Sequence, residues 1–138
     1  MHQFTKEIRL KTKGIDLYEI TEKVLNWIEE INANTGLLNI SILHTSASLL
    51  IQENADPNVL KDLKSYFLKI APFKGNYFHS TEGKDDMPAH IKTALTNTNL
   101  TLSILNKNLS IGNWQGIFLF EHRFYERNRL CVLHYIGS

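Results

Sequence analysis

The stretch from Leu100 to Ile136, LTLSILNKNLSIGNWQGIFLFEHRFYERNRLCVLHYI, decides the fold. Leu100, Leu102 and Ile104 alternate with polar residues, the period that puts every second side chain on one face of a strand. Asn106-Lys107-Asn108 makes a turn, and Leu109-Ser110-Ile111 answers it. Ile117–Phe124 and Leu130–Ile136 read as further strands joined by the polar turn Glu126-Arg127-Asn128-Arg129. A run of strands joined by short turns implies antiparallel pairing.

The preceding residues mix the two periods. Phe4–Leu10 is a loosely alternating strand, with Ile8 and Leu10 on one face, and Gly14 breaks it. Thr21 is an expected N-cap for a helix to about Asn34, with Val24, Leu25, Ile28 and Ile31 as its apolar stripe and Gly36 as its stop. Leu38, Ile40, Ile42 and His44 share one strand face, and Ser48–Gln52 is expected to return antiparallel. Asp56-Pro57 starts a second helix, with Leu60, Leu63, Phe67 and Ile70 inward and Pro72 ending it; Asp86-Met87-Pro88 repeats the device for a shorter third helix through Leu95. Residues 1–138 are therefore expected to form one α+β domain, with three helices on a largely antiparallel or mixed sheet of about seven strands.

Bulk properties exclude several roles. The chain is 43% hydrophobic and 21% charged with a formal charge of +1, so no basic excess points to nucleic acid. No apolar run approaches the roughly 20 residues a membrane helix needs, and the first residues lack a signal peptide's apolar core. The single Cys131, inside Leu130-Cys131-Val132-Leu133, reads as a buried strand residue. With no partner for an intrachain disulfide, a cytoplasmic setting is expected.

Polar residues crowd two strand-to-helix junctions: His44-Thr45-Ser46 running on to Glu53-Asn54-Ala55-Asp56, and Gly83–Lys92, with two acids, two lysines and His90. Asp56 and Asp86 are accounted for as helix caps. Asp85 is left over, free to orient His90 or to hold a hydrated magnesium ion. No two histidines are spaced as a local metal motif; His44, His79, His90 and His122 each neighbour acid-bearing segments, so three of them from separate elements would suit an open catalytic zinc site. The plainer alternative is that each bonds its neighbours near the surface. Glu121, in an apolar strand, needs a partner such as Arg123 or Arg129, or else a role in a site. Lys84, Lys92, Thr45, Ser46 and Ser48 are candidates for phosphate, and Trp114 beside Gln115 can stack on a planar ring or plug the core's edge. Neither Cys131 nor any serine has the surroundings of a nucleophile.

The runs His44-Thr45-Ser46-Ala47-Ser48, Gln52–Pro57, Asp85–Lys92 and Trp114–Ile117 through Glu121-His122-Arg123 together resemble the YjbQ family along nearly the whole chain. The resemblance implies an α+β fold assembled as a homotrimer with a pocket near the subunit boundaries. It also implies a weak thiamine-phosphate synthase activity, which joins hydroxymethylpyrimidine diphosphate to thiazole phosphate, releases pyrophosphate and uses magnesium. Carried over, the family's polar positions are His44, Glu53, Asn54, Asp56, His79, Asp85, His90, Trp114, Gln115 and Glu121. Gln52 stands where relatives more often have Asn.

On this reading His44, His79 and His90 form a metal set, and the catalytic group is His44, Glu53, Asn54, Asp85, His90 and Glu121. Asp85 and Glu53 hold or orient a divalent cation, His44 and His90 carry protons or ligate it, Lys92 meets phosphate, and Trp114 with Gln115 receives the pyrimidine. The alternatives are a non-catalytic trimer that binds a metal or a small anionic metabolite, and polar clusters that serve only to join subunits.

Overall fold

Alternation of apolar residues builds two antiparallel sheets rather than one. The computed structural model of the protein describes residues 1–138. Its strands, in chain order, are β1 (His2–Lys13), β2 (Asp16–Glu19), β3 (Gly36–Ile42), β4 (Ala47–Glu53), β5 (Asn99–Leu105), β6 (Asn108–Leu109), β7 (Gln115–Glu121) and β8 (Glu126–Gly137). The helices are α1 (Thr21–Glu30), α2 (Pro57–Ile70) and α3 (Asp86–Leu95). One sheet has the order β1-β8-β3-β5-β6 and the other β2-β7-β4, together forming a single α+β domain.

The inward rows Leu38, Ile40 and Ile42 of β3, Leu100, Leu102 and Ile104 of β5, and Cys131, Leu133 and Tyr135 of β8 meet Ala47, Leu49, Ile117 and Leu119 of the smaller sheet. Val24, Trp27 and Ile28 of α1 close this core. The other face of the small sheet carries Leu17, Phe118 and Phe120, against which α2 lays Leu60 and Phe67. Because β7 is covered on both faces, Gly116–Glu121 is buried without alternation. The α2 stripe is only half-buried, and no residue of that helix is fully enclosed.

Several expectations shift. Four residues, β2, pair with β7 ahead of α1, and their short run Asp16-Leu17-Tyr18-Glu19 carries too little pattern to be seen in advance. Thr21 makes no cap; its hydroxyl donates to Glu19 (2.8 Å) and accepts the Ile117 N–H (2.8 Å), tying α1 to β7. That helix ends at Glu30, where Asn32 at φ 52° turns the chain. The turn expected at Glu126–Arg129 lies earlier, at His122–Tyr125, with Tyr125 in the left-handed region at φ 63°. Residues from Glu126 onward are all strand, because Arg129 must face inward to meet a buried acid.

Candidate functional site

The third helix supplies the first two side chains of a polar cluster by simple periodicity. Asp86 and His90 are four residues apart and share one face of α3, so their side chains meet at 3.2 Å (Nε2 to Oδ2). The segment between α2 and α3 brings in His79, whose Nε2 lies 2.6 Å from the same oxygen. The ligand atoms of His79, Asp86 and His90 all fall within 4.8 Å of one another. His90 is oriented from behind: its Nδ1 lies 2.9 Å from the Thr45 carbonyl. A carbonyl only accepts, so Nδ1 carries the proton, and Nε2 is the nitrogen that faces Asp86.

Arg123 fixes the carboxylates. Its Nη1 donates to Asp86 Oδ1 (2.7 Å) and its Nε to Asp85 Oδ2 (2.9 Å), while Nη2 reaches the Glu82 carbonyl (3.0 Å). With Oδ1 taken by Arg123, only Oδ2 of Asp86 is left for the histidines. Burial pushes the Asp86 carboxyl up, but the His79 hydrogen bond and the Arg123 charge more than offset this and hold it below the ordinary carboxylate range. Asp85 follows the same pattern: burial opposes ionisation, and Arg123 with the Phe124 N–H (2.8 Å) outweighs it. Gly83 allows this packing, since it sits at φ +101° and a Cβ there would lie 2.9 Å from Asp85 Oδ1.

Thus the two adjacent acids exchange the roles expected of them. Asp85 stands at the N-cap position without a side-chain capping bond and pairs with Arg123. Asp86, expected only to cap, is the acid that meets His90.

His44 does not join the cluster. Its Nε2 accepts the Leu130 N–H at 2.8 Å, which consumes that lone pair and leaves the proton on Nδ1. Burial and the Arg129 charge lower its pKa, with Glu121 opposing, so the ring is neutral. Asp86 therefore stands in the cluster where His44 was expected.

Beneath α3 lies a buried polar layer. Glu121 is fully enclosed and saturated: Oε1 accepts from Thr12 (2.6 Å) and Arg129 Nε (2.7 Å), and Oε2 from Arg129 Nη2 (2.5 Å) and the His122 and Arg123 N–H groups (3.0 and 3.1 Å). Burial raises its pKa, but Arg129 and Thr12 pull it below the ordinary range. With every lone pair engaged it forms an internal ion pair with Arg129, one of the two partners expected for it. His122 shares a hydrogen bond with the Ser48 hydroxyl (2.8 Å), and that hydroxyl lies 2.6 Å from Thr96. Burial, with the Lys92 and Arg129 charges, depresses the His122 pKa to about 2. Lys92 is 1% exposed, and burial lowers its pKa to about 8 against the opposing pull of Asp85 and Glu121.

The remaining candidates lie elsewhere. In the antiparallel β4–β7 ladder Ala47 pairs with Glu121 and Glu53 with Gln115, so Glu53, Asn54, Trp114 and Gln115 sit at the opposite end, roughly 20 Å from the Glu121 end. There Asn54 donates to Glu19 (3.0 Å), Glu53 accepts the Asp56 N–H (3.3 Å), and Gln115 accepts the Gly112 N–H (2.6 Å). Trp114 is 69% exposed and touches none of the cluster. Within one chain, the expected single site is two separate groups.

The family profile described as UPF0047 protein YjbQ-like matches residues 6–138. The chain belongs to the YjbQ/UPF0047 family. A UPF0047 protein of Synechocystis sp. is 46% identical over 94% of this chain and 88% of its own length. YjbQ of Escherichia coli is 40% identical, with 94% of both chains covered. Among solved structures, a YjbQ/UPF0047 protein of Clostridium acetobutylicum superposes with a TM-score of 0.88 at 34% identity, covering 95% of this chain and 99% of that one. A hypothetical protein of Aeropyrum pernix gives 0.90 at 23% identity over 98% and 99%, a likeness of fold.

Against this YjbQ frame, the residues that sequence reasoning undervalued are Asp86 and Arg123. The i, i+4 spacing of Asp86 and His90 was visible, but the capping explanation concealed it. The reach of Arg123 to Asp85 and Asp86 spans 38 and 37 positions and leaves no local signal.

Proposed function

We propose that this YjbQ-family protein binds one divalent transition cation through His79, Asp86 and His90 and uses it on a small phosphorylated metabolite. The observation that supports this most directly is the convergence of two imidazole nitrogens on the oxygen of one buried carboxylate that a half-buried arginine has already oriented. Two imidazoles and one carboxylate suit zinc, iron, manganese or cobalt; magnesium prefers oxygen ligands and its own waters. Thr45 behind His90 and Arg123 behind Asp86 are the supporting contacts that fix ligand orientation.

When bound, the cation would supply Lewis-acid charge to a phosphate oxygen. The chain's own residues then have defined tasks. His79 and His90 hold the cation, Asp86 neutralises part of its charge, and the neutral His44 offers its Nδ1–H as a donor. The pyrophosphate-releasing formation of thiamine phosphate is the reaction to assay first, in a homotrimer. A second reading, a trimer that binds cation or metabolite without turnover, draws support from Asp85 and Glu121: both are engaged by arginines, so neither is a free base.

The test is native mass spectrometry with elemental analysis on purified protein stripped with chelator and reloaded with zinc or manganese, followed by the synthase assay. One cation per chain is expected, retained in His44→Ala and lost in His79→Ala and His90→Ala. Equal cation content in wild type and His90→Ala, both folded, sinks the site. A cation-loaded trimer with no turnover leaves the binding reading standing.

A further inference from the structure

Lys92 is 1% exposed, and its ammonium makes no hydrogen bond or ion pair. The two carboxylates whose charge it feels, Asp85 and Glu121, already pair with Arg123 (2.9 Å) and Arg129 (2.5 Å). Its Nζ lies over an aromatic face, 5.9 Å from the Phe73 ring centroid. A cation–π contact offsets part of the desolvation but satisfies none of the ammonium's three donors. A buried ammonium in this state costs several kcal/mol unless something else pairs with it.

Lys84 repeats the arrangement from the other side. Its Nζ lies 5.7 Å from the Phe124 ring centroid, and Phe124 stacks against Phe73 with centroids 4.9 Å apart. Two ammonium groups therefore flank one aromatic pair. Phe73, His79 and Lys84 also line a cavity of about 190 Å³ between the segment 71–85 and the start of α3. At about 30 Å³ per water, that is room for roughly six waters or a ligand group of that size. The cavity places the cation cluster, through His79, beside Lys84, while Lys92 lies over the Phe73 ring.

Charge completes the case. Around the site Arg123, Arg129, Lys84 and Lys92 face Glu82, Asp85, Asp86 and Glu121 in formal balance. A bound divalent cation leaves a net charge of about +2, which a phosphate dianion or a diphosphate group would meet.

We propose that Lys92 and Lys84, on either side of the Phe73–Phe124 pair, form an oxyanion subsite beside the cation cluster that takes a phosphate or diphosphate group. Phe73, half-buried on a segment without regular secondary structure, is the link between the two: it lines the cavity and its ring lies against the Lys92 ammonium. The charge balance rests on the cation reading, whereas the unpaired Lys92 does not, so the two are tested separately.

Inorganic pyrophosphate and inorganic phosphate are titrated calorimetrically into chelator-stripped and zinc-loaded protein, with sulfate as the control for nonspecific anion binding. Pyrophosphate is expected to bind both forms, more tightly with zinc, and at least about tenfold more weakly to Lys92→Met. Lys92→Met is also expected to melt higher than wild type, because it removes an unpaired buried charge. Lys84→Met, at a position open to both cavities beside it, weakens pyrophosphate without altering zinc content. Wild-type protein that binds pyrophosphate no better than sulfate in either form overturns the subsite. So does unchanged binding in Lys92→Met or, should that variant not fold, in Lys84→Met. Pyrophosphate binding that survives in stripped protein while zinc fails to bind upholds the subsite and removes the cation site.

Discussion

The two ends of the β4–β7 ladder carry equally polar sequence motifs but opposite physical environments. At the Ala47–Glu121 end, Glu121, His122, Asp85, Asp86, Lys92 and Arg129 are all less than 10% exposed and, apart from Lys92, are hydrogen-bonded or ion-paired. At the Glu53–Gln115 end, Asn54, Trp114 and Gln115 are exposed and bonded mostly to nearby backbone or to Glu19. Removing six polar groups from water is expensive, and a fold retains them only where their geometry is fixed by one another or put to use. The exposed end carries no such cost, so its polarity alone says little about a site.

The sharpest way to break the contrast is at Glu121. Changing Glu121→Gln leaves Arg129 enclosed with an uncompensated charge, and loss of one partner from a buried pair costs about 3–5 kcal/mol. Urea denaturation is expected to show a loss of that size with the midpoint shifted and the slope unchanged. A loss under about 1 kcal/mol would mean that water reaches this end and that its burial is not what separates the two.

Sequence reading reached the parts of this end that are local. Alternation located β3, β5 and most of β8, and Asp56-Pro57 marked the start of α2, where Asp56 caps Asn58 N–H at 2.9 Å. Glu121 in an apolar strand announced that it needed a partner, and Arg129 was one of the two named. What escaped was set by tertiary contact. The Asp85 and Asp86 roles depend on which carboxylate Arg123 reaches, a choice made across 38 and 37 positions. The last turn was placed too late because Arg127 and Arg129 look like turn residues, whereas burial of Arg129 against Glu121 keeps them in β8. Within one chain the four motifs do not converge, because β4 carries its two polar ends in opposite directions.

A smaller effect comes from His122. Its folded pKa of about 2 lies below the ordinary 6.5, so the unfolded chain binds the proton more readily. Stability from this group is full above pH 6.5 and falls as pH drops through the window down to about 2. Between pH 6.5 and about 5 the loss is roughly 1.5 kcal/mol. The depressed carboxylates add their own loss only nearer their ordinary values of 3.8 and 4.5, whereas His44, also lowered by burial, titrates in the same upper window, so the His122 share is the part that its substitution removes. Denaturation free energies at pH 7 and about pH 5.5 should differ more in wild type than in His122→Gln, where the remaining difference belongs to His44. An equal pH slope in both proteins assigns the titration to another group and removes His122 from the buried layer's energetics.

The smallest effect is expected at the far end, and there its absence is informative. Trp114→Ala and Asn54→Ala alter exposed side chains, so each should change stability by no more than about 0.5–1 kcal/mol. Cation content and pyrophosphate affinity should match wild type, because in one chain roughly 20 Å of β4 separates these residues from His90 and Lys92. If either variant lost pyrophosphate binding while keeping its fold, distance within the chain would no longer be the relevant measure. The far end of one copy would have to meet the buried end of another, and the two motifs would form one site only in the assembled protein. Repeating the titration below the concentration at which copies associate then separates the cases, since a site contained in one chain keeps its affinity on dilution and a shared one loses it.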